Sequence, residues 1–299
     1  MKYGYIGLGN LGGHLAMSLI KGGLDVTVFD LDPKLAERHI AAGAKHAPTI
    51  GELVQSVDHV FTCLPSPAIS EKVMEEMLPN TRPRMTWIEN STLGRDEILR
   101  LAAKAQSHGM KVLEAPVTGG VHLAARGEIT VLVGGDDALF AEHESALKKI
   151  GKQIFFMGPL GSAAVIKVIT NMLAFIHLVA DAEALMLAKR GGLDLGQAWR
   201  AIAASSGTSF VHETEGQLIL NGSYDIAFTM DLALKDLGFA MKFGQDFGVP
   251  LDLAGHTFER FKQGKAKLGG QAQSTAIAKL LEDEAGTDLR AEGFPARLT

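Results

Sequence analysis

Cysteine is almost absent: Cys63 is the only one in 299 residues. No internal disulfide is possible, and a reducing, cytoplasmic setting is expected. There is no block of Lys or Arg, and the net charge is −5 with an isoelectric point of about 6.1. Nucleic-acid binders usually carry a basic face, so no nucleic-acid partner is expected. No uninterrupted apolar run reaches the ~20 residues of a membrane span. The most apolar stretch, Met172 to Ala188, is broken by His177, Asp181 and Glu183, so it reads as a buried helix and no membrane partner is expected. The start, Met1-Lys2 before an apolar run, mimics a signal peptide. Early glycines and the missing small-residue cleavage site argue against one. Internal repeats and low-complexity segments are lacking. The ten His show no metal-ligand spacing, so no metal is expected. No Ser/His/Asp signature is visible, and Glu97, Glu183 and Asp136-Asp137 read as surface or capping residues.

Glycine is plentiful instead: 34 residues, about 11% against a usual ~7%, without a collagen-like period. They mark turns and close backbone approaches. Apolar residues make up 46% and charged residues 21%, the balance of a soluble globular chain, and the length suggests roughly two domains. Up to about residue 160, short β-rich runs alternate with helical periods. Candidate strands are Tyr3–Gly7, Asp25–Asp30, His59–Leu64, Met85–Ile88, Met110–Glu114 and Ile129–Val133. A first helix over Asn10–Lys21 carries apolar residues at helical spacing, and Pro33 and Gly43 bracket a second. This alternation predicts a doubly wound, mostly parallel sheet. After Gly158-Pro159-Leu160-Gly161 the pattern turns helical. One helix runs from Ser162 to about Arg190, some ~40 Å long, with shorter ones near 194–205, 208–221, 231–247, 251–264 and 274–284. The predicted domains are residues 1–161 and 162–299.

Gly7-Leu8-Gly9-Asn10-Leu11-Gly12 is a G-x-G-x-x-G between a strand and an amphipathic helix, the context that gives this motif its meaning. Gly7 permits a tight turn, Gly9 lets the backbone approach a pyrophosphate, and Gly12 lets helix and strand pack closely. The helix N-terminus adds N–H groups and partial positive charge. Asp30 lies 18 residues beyond Gly12, near the ~20 expected of an acid that binds the ribose 2′-OH. A carboxylate there repels a 2′-phosphate, and Leu31-Asp32 offers no Arg, which favours NAD over NADP.

Ala115-Pro116-Val117-Thr118-Gly119-Gly120 follows a strand. Its glycines can form a concave, carboxylate-binding nest or an ordinary turn. On the long helix, Lys167, Thr170, Asn171, His177 and Asp181 share a stripe about 120° wide, with Glu183 opposite. The stripe lines a wet cleft or is simply a solvated face. His177 reads as a packing residue.

Four blocks in this order, Gly7–Gly12, Ala115–Gly120, Gly161–Asn171 and Lys235-Asp236 within LALKDLGFA, resemble the β-hydroxyacid dehydrogenase family across nearly the whole chain. The family includes 3-hydroxyisobutyrate dehydrogenase, tartronate semialdehyde reductase and glyoxylate/succinic semialdehyde reductases. The resemblance implies a Rossmann-like N-terminal domain joined by a long helix to an all-α C-terminal domain, as in 6-phosphogluconate dehydrogenase, with the active site between them. It implies Lys167 as catalytic lysine and Asn171 one turn later. Thr118-Gly119-Gly120 becomes the substrate turn, and Lys235-Asp236 falls near cofactor and substrate. Leu64-Pro65 and Ser91-Thr92 match loops bordering the cofactor. Thr118 replaces a commoner Ser, Glu89 an Asp, and Thr170 an Asn; no group the chemistry needs is lost.

The implied reaction is hydride transfer between NAD and a small β-hydroxy acid or semialdehyde, in a homodimer or homotetramer. A free lysine titrates near ~10.4, so one acting near neutral pH needs desolvation or neighbouring positive charge. The apolar helix and Lys235 are the available sources. Phe228, Phe239 and Lys242 are candidate pocket residues outside the motifs. Two other readings stand beside this one. An imine reductase of the same fold would carry Asp or Tyr in place of Lys167. A non-catalytic cofactor-binding module would often lack the lysine.

Overall fold

The computed structural model describes residues 1–299, and the chain divides into two compact units, Met1–Lys167 and Val168–Thr299. The first unit holds nine strands: β1 (Lys2–Ile6), β2 (Asp25–Phe29), β3 (Lys45–His46), β4 (His59–Thr62), β5 (Thr86–Glu89), β6 (Lys111–Glu114), β7 (Val117–Thr118), β8 (Ile129–Gly135) and β9 (Gly151–Phe156). Between them run α1 (Gly12–Lys21), α2 (Lys34–Ala41), α3 (Ile50–Ser56), α4 (Pro67–Met77), α5 (Arg95–Ser107), α6 (Val121–Ala125) and α7 (Asp137–Ile150).

Six strands pair in parallel in the order β3-β2-β1-β4-β5-β6, the order of dinucleotide-binding sheets. β8 pairs antiparallel with β6 and β7, and β9 parallel with β8. Each central strand feeds two cores in alternation. Tyr3, Tyr5, Phe61, Ile88 and Leu113 pack with Leu15 and Leu19 of α1 and Leu147 of α7. Ile6, Val60, Trp87 and Val112 pack with Leu53 of α3, Met74 of α4 and Leu101 of α5. Helices on both faces make the sheet doubly wound. Strand order reverses between β1 and β4, so the loops after these two strands open at the switch point, where ligands of such sheets bind.

The long helix α8 (Ser162–Arg190) begins in the first unit and continues into the second. The second unit adds α9 (Leu195–Ala203), α10 (Phe210–Asn221), α11 (Met230–Phe247), α12 (Asp252–Leu268) and α13 (Ala278–Ala285). Phe175, Leu178, Ala182, Leu185 and Met186 of α8 form one stripe at helical spacing. They pack with Val211, Leu237, Phe261 and Ile277. α8 is long and apolar enough to cross a membrane by length and composition, and 33% of its apolar window is buried. The buried helix expected from composition is therefore buried along one stripe only, with Leu173 and Leu187 exposed; composition counts apolar residues without regard to face.

Candidate active site

The loop after β1 is shaped by its glycines. Gly7 has φ +96°, and a Cβ there would lie 2.3 Å from the Cys63 carbonyl oxygen. A Cβ on Gly12 would lie 2.2 Å from the Gly7 carbonyl oxygen, so this glycine is what lets α1 start against the loop. At Gly9 a Cβ would meet nothing within 4 Å: the backbone faces open space. The first N–H groups of a helix lack intrahelical partners, and α1 carries no acid in its first turn. A pyrophosphate fits this cradle. Asn10 is exposed, Leu11 half-buried, and the Leu8 side chain sits in the core.

Asp30 follows β2. Its Oδ2 accepts the Leu8 N–H at 2.6 Å and its Oδ1 the Asp32 N–H at 3.0 Å. The carboxylate thus ties the two cofactor loops together, and its remaining lone pairs suit a ribose diol. Beside it Leu31 is 88% exposed. The loop after β4 is tied in the same manner. The Ser91 hydroxyl accepts the Leu64 N–H at 2.7 Å and donates to Glu89 Oε1 at 2.5 Å. Pro65 is exposed, Leu64 and Thr92 half-buried. Ser91 is buried, so its contribution is to hold the Leu64 turn. Burial pushes the Glu89 carboxyl up to about 7 against the hydrogen bonds from Ser91.

Thr118-Gly119-Gly120 leads into α6. Gly119 and Gly120 have φ +123° and +87°, the left-handed region that favours glycine. His122 closes over the turn, with its ring 3.1 Å from where a Gly120 Cβ would be. Burial, then Arg126, holds that imidazole below its ordinary value. Sequence reading missed His122; its place two residues after the turn was the available signal.

Lys167 is 7% exposed on α8. The start of this helix is held by a residue that no motif marks. Glu114, at the end of β6, accepts the Ala163 N–H at 2.9 Å through Oε1 and the Ala164 N–H at 3.0 Å through Oε2. A carboxylate satisfying the orphan donors of a helix start also meets its positive dipole end. Burial nevertheless pushes the Glu114 carboxyl up to about 7.

In the second unit, Asn171 Nδ2 donates to Asp236 Oδ2 at 2.6 Å, and Lys235 Nζ donates to Asp236 Oδ1 at 2.7 Å. Asp236 is 1% exposed, so it reaches other groups through Asn171 and Lys235. Lys235 also lies over the Phe239 ring, 5.2 Å from its centroid. The polar stripe divides here. Asp181 turns into the helical core and pairs with His212 Nδ1, while His177 is exposed rather than packed. The stripe is not one wet face, because a side chain three turns along α8 meets different neighbours.

A doubly wound sheet with an anion cradle at its switch point defines a dinucleotide-binding protein, here with a separate unit of helices. Residues 2–158 match the NAD binding domain of 6-phosphogluconate dehydrogenase. Residues 161–281 match the NAD-binding domain of NADP-dependent 3-hydroxyisobutyrate dehydrogenase. The chain is 31% identical to 2-(hydroxymethyl)glutarate dehydrogenase of Eubacterium barkeri over 97% of each chain. It is 30% identical to the human cytokine-like nuclear factor N-PAC over 89% of this chain and 48% of that protein. The structure of Mycobacterium tuberculosis 3-hydroxyisobutyrate dehydrogenase with L-serine superposes with a TM-score of 0.84 at 28% identity, covering 94% of this chain and 98% of that one. The chain belongs to the β-hydroxyacid dehydrogenase family, and its activity is that of an NAD(P)-dependent dehydrogenase acting on a CH–OH group.

Proposed function

We propose that the protein interconverts a small β-hydroxy acid and its semialdehyde, using NAD in preference to NADP, with Lys167 as general acid–base. The observation carrying this reading is a buried lysine one helical turn before an asparagine whose amide a buried carboxylate fixes. Bound at Gly7–Gly12 and Asp30, with Leu64-Pro65 and Ser91-Thr92 bordering it, the nicotinamide cofactor supplies the hydride acceptor or donor.

Every other step belongs to the chain. Lys167 Nζ takes the substrate hydroxyl proton in oxidation and returns it to the carbonyl oxygen in reduction. Asn171, held from behind by Asp236, orients the lysine or the hydroxyl. Thr118, Gly119 and Gly120 hold the substrate carboxylate, and Lys235 adds positive charge for it. Holding the substrate at both ends supplies much of the rate. The NAD preference rests on Asp30 and on the lack of an Arg beside it.

The test is NADH and NADPH formation with a panel of β-hydroxy acids, run on the unmodified enzyme and on Lys167→Ala. The substitution lowers kcat by about 10²–10⁴-fold, the range for losing a general acid–base, and spares NAD binding. Lys167→Arg is nearly as inactive, because guanidinium does not release its proton. Retention of more than about a tenth of kcat, against that range, would transfer the role to another base.

A further inference from the structure

At the end of the sheet away from the cofactor loops, β1, β4 and β5 put Tyr3, His59 and Thr86 side by side in register. α7 lays His143 across this row. The His143 Nδ1 lies 3.2 Å from the Tyr3 hydroxyl and the Nε2 3.1 Å from Thr86 Oγ1. The His59 and His143 rings meet edge to face, centroids 4.4 Å apart. Glu142, the residue before His143, reaches the same place from the surface. One donor atom from each of His59, Glu142 and His143 lies within 4.8 Å of the other two. His59 is 6% exposed, yet its Nδ1 has no hydrogen-bond partner. An unsatisfied buried imidazole nitrogen is costly and calls for an explanation.

We propose that His59, Glu142 and His143 bind one divalent transition-metal ion of the zinc class, with water as the fourth ligand. Two imidazoles and one carboxylate are a three-ligand set that zinc accepts. Calcium and magnesium prefer all-oxygen shells. Tetrahedral bonds of ~2.0–2.2 Å place donors about 3.4 Å apart, a closure within reach of the half-exposed Glu142 side chain. Binding releases one His143 nitrogen from its hydroxyl neighbour. The other hydroxyl stays on the ring and fixes its orientation, as outer partners of metal-bound histidines do.

Burial holds both imidazoles below the ordinary histidine range, His143 down to about 4. A neutral imidazole keeps one N–H and offers the lone pair of its other nitrogen to an ion. The carboxylates of Glu142 and Asp58 face His59, as do the cations of Lys111 and the first amino group. Lys111 Nζ approaches only Glu142 Oε2, at 3.4 Å, and leaves Oε1 for the ion. The ion would clamp α7 to β4 at the end opposite Gly7–Gly12. Its role is stability, not hydride transfer.

The test is Zn²⁺ titration of the full chain by equilibrium dialysis and thermal unfolding, with Co²⁺ as spectroscopic probe. The expected result is one ion per chain and the strong visible absorption of four-coordinate Co²⁺. At free Zn²⁺ about 100-fold above Kd, Tm rises by about 5–10 °C. Glu142→Gln, at a half-exposed side chain that leaves folding intact, abolishes the Tm rise and weakens binding at least tenfold. His108→Gln, at an exposed histidine outside the cluster, changes neither. A wild-type Tm that does not move in Zn²⁺, or a rise that persists in Glu142→Gln, overturns the proposal.

Discussion

Glu114 offers the most direct test of how the fold positions Lys167. Its two oxygens accept the Ala163 and Ala164 N–H groups, and the residue is 2% exposed. Glu114→Ala leaves both donors buried without that partner. Each orphan costs about 1–3 kcal/mol, so the loss is about 2–6 kcal/mol, a large share of the ~5–15 kcal/mol typical of a folded protein. Glu114→Gln keeps one acceptor and turns an NH₂ toward the second donor, so about 1–3 kcal/mol is expected. The carboxyl titrates at about 7 in the folded chain against an ordinary 4.5. Its folded value is raised, so the native state holds the proton more tightly. Stability therefore falls as pH rises from 4.5 to about 7 and is level above; Glu114→Gln lacks this slope. Gly134→Ala is an independent route to the same defect, since its Cβ would lie 2.2 Å from Glu114 Oε1. Urea unfolding at pH 5 and pH 8 measures all three variants. kcat falls with them, because a displacement of about 1 Å costs on the order of 10² in rate. A Glu114→Ala protein within about 1 kcal/mol of wild type, below the cost of one orphaned donor, would refute the anchoring role.

Asp30→Ser with Leu31→Arg should shift preference toward NADP by removing repulsion and adding a phosphate partner. It should also weaken NAD binding, because the Leu8 N–H loses its carboxylate. Equal efficiency with both cofactors in the unmodified enzyme would count against Asp30. Gly120→Ala, at φ +87° and against the His122 ring, should raise KM for the acid far more than for NAD; an unchanged KM would remove the turn from carboxylate binding. Burial lowers the His143 imidazole to about 4 from an ordinary 6.5. A depressed histidine costs stability as pH falls from 6.5 to 4, by up to about 3 kcal/mol. His143→Gln should flatten that acid limb in urea titrations, and an unchanged limb would show that other groups cause it.

The strand–turn–helix rhythm made the parallel sheet legible, and strand ends moved by only a residue or two. α8 was readable to its ends because an apolar run bounded by Gly161 and Gly191 has one simple outcome. β9 was missed: Lys152, Gln153, Phe155 and Phe156 are exposed on it, so no inward-outward alternation marks it. The strands β3 and β7 are two residues long and carry no period at all. For the site, motifs gave the residues proposed to face cofactor and substrate. They gave nothing for Glu114 or for the bond from Asn171 to Asp236, because a buried carboxylate is recognised by what it accepts from, and these donors lie 49 to 65 residues away. The group formed by His59 with Glu142 and His143 escaped for the same reason. Histidine spacing along the chain holds no record of which strand start a later helix crosses.

The two residues on which the proposed chemistry turns, Lys167 and Asn171, stand one turn apart on a single helix, and each side of that turn is governed by a buried carboxylate. Glu114 fixes the first turn of α8 within the first unit, and Asp236 fixes the Asn171 amide within the second. Side-chain packing holds the buried stripe of α8 against its neighbours, and directional hydrogen bonds act on the helix in addition. Hydrogen bonds to defined N–H groups set its axial register, because a shift of one residue leaves a buried donor orphaned at about 1–3 kcal/mol. Losses at Glu114 and Asp236 should therefore differ in kind. The first moves the lysine and lowers stability and kcat together. The second releases Asn171 and Lys235, and Asp236→Asn should lower kcat while cofactor binding is retained.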